Sequence, residues 1–226
     1  MTSEPQERPA YSLSEAARIL RLPVATLRSW TVGRPYPRGA GVARFHPLLH
    51  PPVERPPTLS FSNLIEAHVL RSLRTDHAVS LKHVRSALAY AEKHLRIERL
   101  LLDERLRTDA GHLLLERYGK LIDLSASGQM AMRRMFDEHL QRIEWDRKHV
   151  PARLFPFLSA QASSPTRSIV IDPRIAFGRP IVARRSISTQ VIRDRIDAGE
   201  ALKAVAEDYG LRPEEIEEAI FYERAA

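Results

Sequence analysis

No cysteine occurs in the 226 residues, which excludes disulfides, thiolate metal sites and cysteine nucleophiles and points to a reducing compartment. No apolar run reaches the ~18 residues of a membrane span. The first ten residues, MTSEPQERPA, hold two glutamates and no apolar stretch, so no secretory leader is expected. Also missing are a Gly-x-Gly-x-x-Gly segment, a phosphate-loop motif and a His-Glu-x-x-His pair. His46 and His50 stand in a proline-rich stretch, and His77 and His83 flank a helix start, so neither pair has the spacing of a metal site. Glu138 and Glu144 read as helix-surface acids, and Met130, Met132 and Met135 as core. These absences predict a cytoplasmic binding protein, not an enzyme, that carries no metal or cofactor and does not enter a membrane.

The hydrophobic fraction, 43%, suits folded domains. The formal charge of +7 is modest, but its distribution is uneven. From Ser14 to Arg44 six arginines (Arg18, Arg21, Arg28, Arg34, Arg38, Arg44) face one acid, Glu15, a local +5. From Gly199 to Ala226 three bases (Lys203, Arg212, Arg224) face eight acids (Glu200, Glu207, Asp208, Glu214, Glu215, Glu217, Glu218, Glu223), a local −5. The first segment can approach phosphate and the second would be repelled by it. Arginine outnumbers lysine, which suits bidentate phosphate and guanine contacts, although biased codon usage would give the same preference.

Tyr11 to Trp30 reads as two short helices. Ser12 and Glu15 fit a capping box, and Leu13, Ala16, Ala17 and Leu20 recur at helical spacing. Arg21-Leu22-Pro23 breaks the period, and a second helix runs through Val24, Leu27 and Trp30. Two helices across so tight a turn form a helix-turn-helix. Thr31 to Pro57 holds seven prolines and three glycines and reads as a long, arginine-bearing loop. A short strand over Thr58–Phe61 precedes a helix capped by Ser62, and Ser80–Leu95 predicts another helix. Gly119 between His112–Tyr118 and Lys120–Leu124 suggests a hairpin, and Ser127–Trp145 a long helix. Arg153–Leu158 and Ser168–Ile171 read as strands, with a polar linker over Ala160–Thr166. Three helices close the chain: Ser188–Ala198, Glu200–Tyr209 and Pro213–Tyr222.

The stretch Tyr11-Ser-Leu-Ser-Glu-Ala-Ala-Arg-Ile-Leu-Arg-Leu-Pro-Val-Ala-Thr-Leu-Arg-Ser-Trp30, a glycine-proline wing, Leu59–Ala67 and Ser80–Leu88 together resemble the MerR-type winged-helix family over about the first 95 residues. The wing departs from the family pattern in being longer and richer in proline. The resemblance implies that the second helix enters the major groove of double-stranded DNA, with Thr26, Arg28 and Ser29 as candidate base readers. Arg21 in the turn, and Arg34, Tyr36, Arg38 and Arg44 in the wing, are candidates to hold phosphates. The alternative for these arginines is a solvated face. Trp30 falls on the apolar face with Leu27, which favours a core role over base stacking. The family's habit of binding palindromes as two-fold dimers implies a homodimer.

The last 58 residues resemble the C-terminal domain of a group of VapB-type antitoxins. The residues that carry this are Ile169–Ile181 with its Phe177-Gly-Arg-Pro turn, Ile187-Ser-Thr, Ala198-Gly-Glu, Ala206–Leu211 and Glu215–Ile220. The family's glycine-threonine turn is replaced here by Ala183-Arg-Arg-Ser186. The resemblance implies an antitoxin that neutralises a cognate PIN-type ribonuclease and represses its own operon through the DNA-binding end. Glu214, Glu215, Glu217 and Glu218 would repel DNA and suit a basic protein partner or a homodimer contact; a merely solvated acidic face is the alternative.

The expected fold is mainly α with small β elements, an α+β chain in three parts. These are a winged helix-turn-helix (10–97), a small α+β middle module (98–166) and a three-helix C-terminal unit resembling a second helix-turn-helix (167–226). Two other functions are compatible with this organisation. One is a stand-alone regulator whose C-terminal half binds a ligand or dimerises; the other is a protein-only adaptor.

Overall fold

The computed structural model describes residues 4–39, 41–75, 88, 92–93, 96, 99–102, 137–156 and 167–224. The expected hairpin over 112–124, the linker over 160–166, and most of the helices expected over 80–95 and 127–145 lie outside the described residues. The class is the expected one: helices with small antiparallel sheets.

Strand β1 (Tyr11–Ser12) leads directly into helix α1 (Leu13–Leu20). The predicted capping box is present: the Glu15 backbone N–H donates to Ser12 Oγ (3.2 Å) and Glu15 Oε2 accepts from the Ser12 N–H (3.1 Å). Arg21 ends the helix in a left-handed conformation (φ 51°), and the Leu22 N–H reaches back to the Ala17 carbonyl. Helix α2 (Val24–Thr31) starts after Pro23. Leu27 and Trp30, at 0% exposure, seat α2 on α1, so Trp30 is a core residue.

The stretch expected to be one long loop instead contains a β-hairpin, β2 (Arg34–Arg38) and β3 (Gly41–Phe45), followed by β4 (Val53–Glu54) and β5 (Pro57–Leu59). Proline density hid the hairpin. Pro35 and Pro37 lie two apart on an edge strand, where the missing N–H groups can face outward without breaking the ladder. β5 pairs with both β1 and β4, tying the wing's return to the start of α1. Helix α3 (Phe61–Thr75) is capped by Ser60, not by Ser62. Ser60 and Asn63 exchange backbone and side-chain hydrogen bonds, whereas Ser62 is buried and donates to Glu7.

The helix expected to run to Trp145 gives way after Leu140 to strand β6 (Ile143–Trp145), paired with β7 (Pro151–Leu154). Glu144 is therefore a strand residue, near Arg153 and Arg167. Leu154 bridges Ile171, next to β8 (Ile169–Val170), which joins β9 (Ile181–Val182) and β10 (Ile187–Ser188). Helices α4 (Thr189–Asp197), α5 (Leu202–Tyr209) and α6 (Pro213–Arg224) follow close to their expected bounds. They bury Ile192, Val205, Ala206, Ile216, Ala219 and Tyr222 against Ile169 and Val182.

The apolar core does not respect boundaries at 97 and 166. Leu100, Leu101, Leu140, Ile143, Leu154 and Ile171 belong to the same buried cluster as Leu20, Leu27 and Trp30. The C-terminal unit is also fastened to α1 by polar contacts. Tyr11, fully buried, donates through its hydroxyl to the Gly178 carbonyl (3.0 Å). Gly178 has φ +73°, and a Cβ there would stand 2.1 Å from the Tyr11 hydroxyl, so this position needs glycine. Arg179 donates to the Ala10 carbonyl and pairs with Glu15. Glu223, whose side chain is 1% exposed, accepts from Arg18 (2.8 Å), Arg193 (3.4 Å) and Thr189.

A histidine pair links α3 to the segment before β6. His68, 1% exposed, donates through Nε2 to the His139 carbonyl (3.1 Å), with the rings 5.1 Å apart. Burial, then the neighbouring His139, Arg71 and Arg142, hold its pKa well below the ordinary histidine value. The unfolded chain therefore takes up this proton first, near pH 6.5. The stabilisation from neutral His68 is complete above that pH and falls as pH drops below it, by up to about 1.4 kcal/mol per pH unit. Urea unfolding between pH 7.5 and 5 should show this loss, and His68→Gln should flatten it. A flat wild-type profile would contradict the assignment.

Candidate nucleic-acid interface

The outward side of α2 exposes Arg28, and the β2–β3 wing that follows it exposes Arg34 and Arg44. No acidic residue occurs between Glu15 and Glu54. On α2 the exposed residues are Val24, Ala25 and Arg28, while Thr26 and Ser29 are half-buried. Arg28 forms no ion pair with any described residue, so its guanidinium is available. Of the three expected base readers, Arg28 is thus the most open. Val24, which the helical period grouped with Leu27 and Trp30, is instead 40% exposed because it lies in the first turn, ahead of the packed face.

Pairing along the wing places its candidates on two faces, since directly opposed residues share a face. Arg34 opposes Phe45, Tyr36 opposes Ala43 and Arg38 opposes Gly41; Arg44 opposes Pro35 on the other side. Tyr36 stacks on Phe45 with centroids 4.1 Å apart, and the Arg34 guanidinium lies 5.5 Å from the Phe45 ring centroid. These contacts stiffen the wing while Arg34 stays exposed. Arg44, also exposed, donates to the Val32 carbonyl (3.3 Å), which steadies the wing against the end of α2.

Arg21 packs against the C-terminal unit. Its guanidinium carbon lies 5.8 Å from the centroid of the Tyr222 ring on α6, and its Nε and Nη2 atoms are buried. Burial lowers its pKa, with a partial offset from Tyr222. Arg21 is the left-handed cap of α1, and its guanidinium lies toward Tyr222 of the C-terminal unit.

The four glutamates expected to face a partner do not share one surface. Glu214 and Glu217 are exposed and Glu218 is half-buried. Glu215 is 4% exposed and built into the fold. It accepts from the Arg212 N–H (2.8 Å) at the start of α6 and pairs with Arg184 (3.3 Å). Burial alone would raise its pKa, but the hydrogen bonds from Arg212 and the charges of Arg212 and Arg184 outweigh that and lower it. Its helix-capping geometry was visible in sequence as a carboxylate three residues after Arg212, but the acidic run obscured it.

A family described as "Putative DNA-binding HTH domain" matches residues 9–88. The N-terminal unit is a helix-turn-helix domain. A second family, described as "Protein of unknown function (DUF433)", matches residues 169–222. Along nearly its whole length the chain is similar to two Mycobacterium tuberculosis proteins. It is 27% identical over 230 residues to "Putative antitoxin VapB45", covering 94% of this chain and 92% of that protein. It is 28% identical over 232 residues to "Uncharacterized protein Rv2308", covering 96% and 90%. The crystal structure of Rv2018 from the same organism has the same fold, with a TM-score of 0.67 at 23% identity over 94% of this chain and 97% of that one. No helix among the described residues is long and apolar enough to cross a membrane.

Proposed function

We propose that this protein is a cytoplasmic DNA-binding antitoxin that binds without catalysing any reaction. It reads operator DNA with α2 and the wing in the MerR-like manner, as a homodimer on a two-fold site, and represses its own operon. Its acidic C-terminal unit neutralises a PIN-type ribonuclease. The observation that carries the reading is the acid-free, arginine-bearing stretch that forms α2 and the wing, in a chain similar over 94% of its length to a protein named as an antitoxin.

Charge supports the division of labour. A ribonuclease must hold a polyanion, and a basic surface of that kind is complementary to Glu214, Glu217 and Glu218 together with exposed Glu207 and Asp208. Glu215 is left out, because it stabilises the start of α6.

Purification of the tagged protein from its native cells, followed by mass spectrometry, tests the antitoxin reading. A small ribonuclease in near-equal amount is expected; recovery of the protein with DNA alone would favour a stand-alone regulator. Reversing Glu214, Glu217 and Glu218 to lysine should remove that ribonuclease and leave operator binding in place. Loss of both activities would contradict the separation of the two surfaces.

A further inference from the structure

Two apolar residues of α2 are exposed. Val24 is 40% exposed, Ala25 beside it is exposed, and the core contacts of the helix come from Leu27 and Trp30. Val24 and Ala25 stand four and three residues before Arg28, so all three lie on one face across a single turn. The surroundings select the occupant of that face. Arg28 is exposed on it, Arg34 and Arg44 are exposed on the wing strands that follow α2, and no acid occurs in sequence from residue 16 to residue 53. A polyanion fits such a surface, whereas a protein partner with a basic rim would be repelled.

Within the DNA-binding reading on which this step rests, the first turn of the second helix meets base edges in the major groove. There, small apolar side chains have one complementary feature, the 5-methyl group of thymine. Arg28 has a different one, the O6/N7 edge of guanine. One helical turn rises ~5.4 Å and successive base pairs are ~3.4 Å apart, so the two features fall within one or two steps of each other. We propose that Val24 and Ala25 select thymine by its methyl group, one or two base pairs from a guanine held by Arg28. Discrimination would then come from two contacts of opposite character on one face, with Thr26 and Ser29, both half-buried, in a lesser role.

The test begins with the full-length protein and a random 30-base-pair pool, from which bound duplexes are selected and sequenced. The selected duplex is then compared with the same duplex carrying deoxyuridine for thymine beside the guanine. Wild type should bind the deoxyuridine duplex roughly four-fold more weakly for each contacted methyl lost. Val24→Ser, checked for an unchanged thermal unfolding midpoint, should bind thymine and deoxyuridine duplexes with a much smaller difference. Ala25→Gly gives a second variant for the same comparison. Equal wild-type affinity for the two duplexes would overturn the inference, and so would a selected sequence without thymine near the guanine. Tight, sequence-selective binding in either case would leave the DNA-binding reading standing. Failure to select any duplex would overturn both.

Discussion

Arg28→Ala is expected to weaken binding to the selected duplex by about 1–3 kcal/mol, or roughly five- to 150-fold, and to relax the choice of base at one position. The expectation rests on where α2 puts this arginine. Its helix is anchored by Leu27 and Trp30, both fully buried, so the guanidinium projects from a fixed platform. It pairs with no described carboxylate and sits in a stretch free of acidic residues. Loss of a bidentate contact would therefore appear in affinity for the cognate base far more than in binding to unrelated DNA. Anisotropy titrations against the selected duplex and its single-base variants measure both quantities. A uniform loss across all sequences would make Arg28 a phosphate contact instead.

Replacing Arg18 and Arg193 together by alanine should destabilise the folded protein by about 3–5 kcal/mol, because it strips the partners from a buried carboxylate. Glu223 is 1% exposed on its side chain, and among the described residues only Thr189 would remain to hydrogen-bond it. Arg18 belongs to α1 and Arg193 to α4, so this carboxylate is a pin between the helix-turn-helix and the C-terminal unit. Adding Glu223→Gln to the double variant should recover part of the loss, since the buried group would no longer be charged. Urea unfolding reads both effects. A double variant as stable as wild type would mean that the two units are not held together through this site.

Local signals were legible in the sequence where a short-range rule governs. Ser12 with Glu15, the Arg21-Leu22-Pro23 break, and the helix ends at Gly199 and Gly210 all follow from the chemistry of neighbouring residues. The basic character of the stretch from α2 through the wing was legible too, because arginine without acid is a matter of composition. What was not legible depends on contacts distant in the chain. The wing hairpin was hidden by Pro35 and Pro37, which an edge strand tolerates. The contact of Arg21 is equally distant: its guanidinium lies over the ring of Tyr222, some two hundred residues away. Glu215 looked like one member of an acidic run until Arg184 and Arg212 came to meet it. The Tyr11–Gly178 hydrogen bond joins residues 167 apart, and no local pattern encodes it.

The most direct test of the central claim is the salt dependence of binding to the selected duplex, measured for wild type and for an Arg34→Ala, Arg44→Ala double variant. If α2 and the wing grip DNA as proposed, log K for the wild type falls linearly with log salt, by about 0.9 for each phosphate neutralised. The double variant should then lose roughly two from that slope while keeping its sequence preference. A wild-type affinity indifferent to salt, or a slope unchanged by removing both wing arginines, would contradict the account.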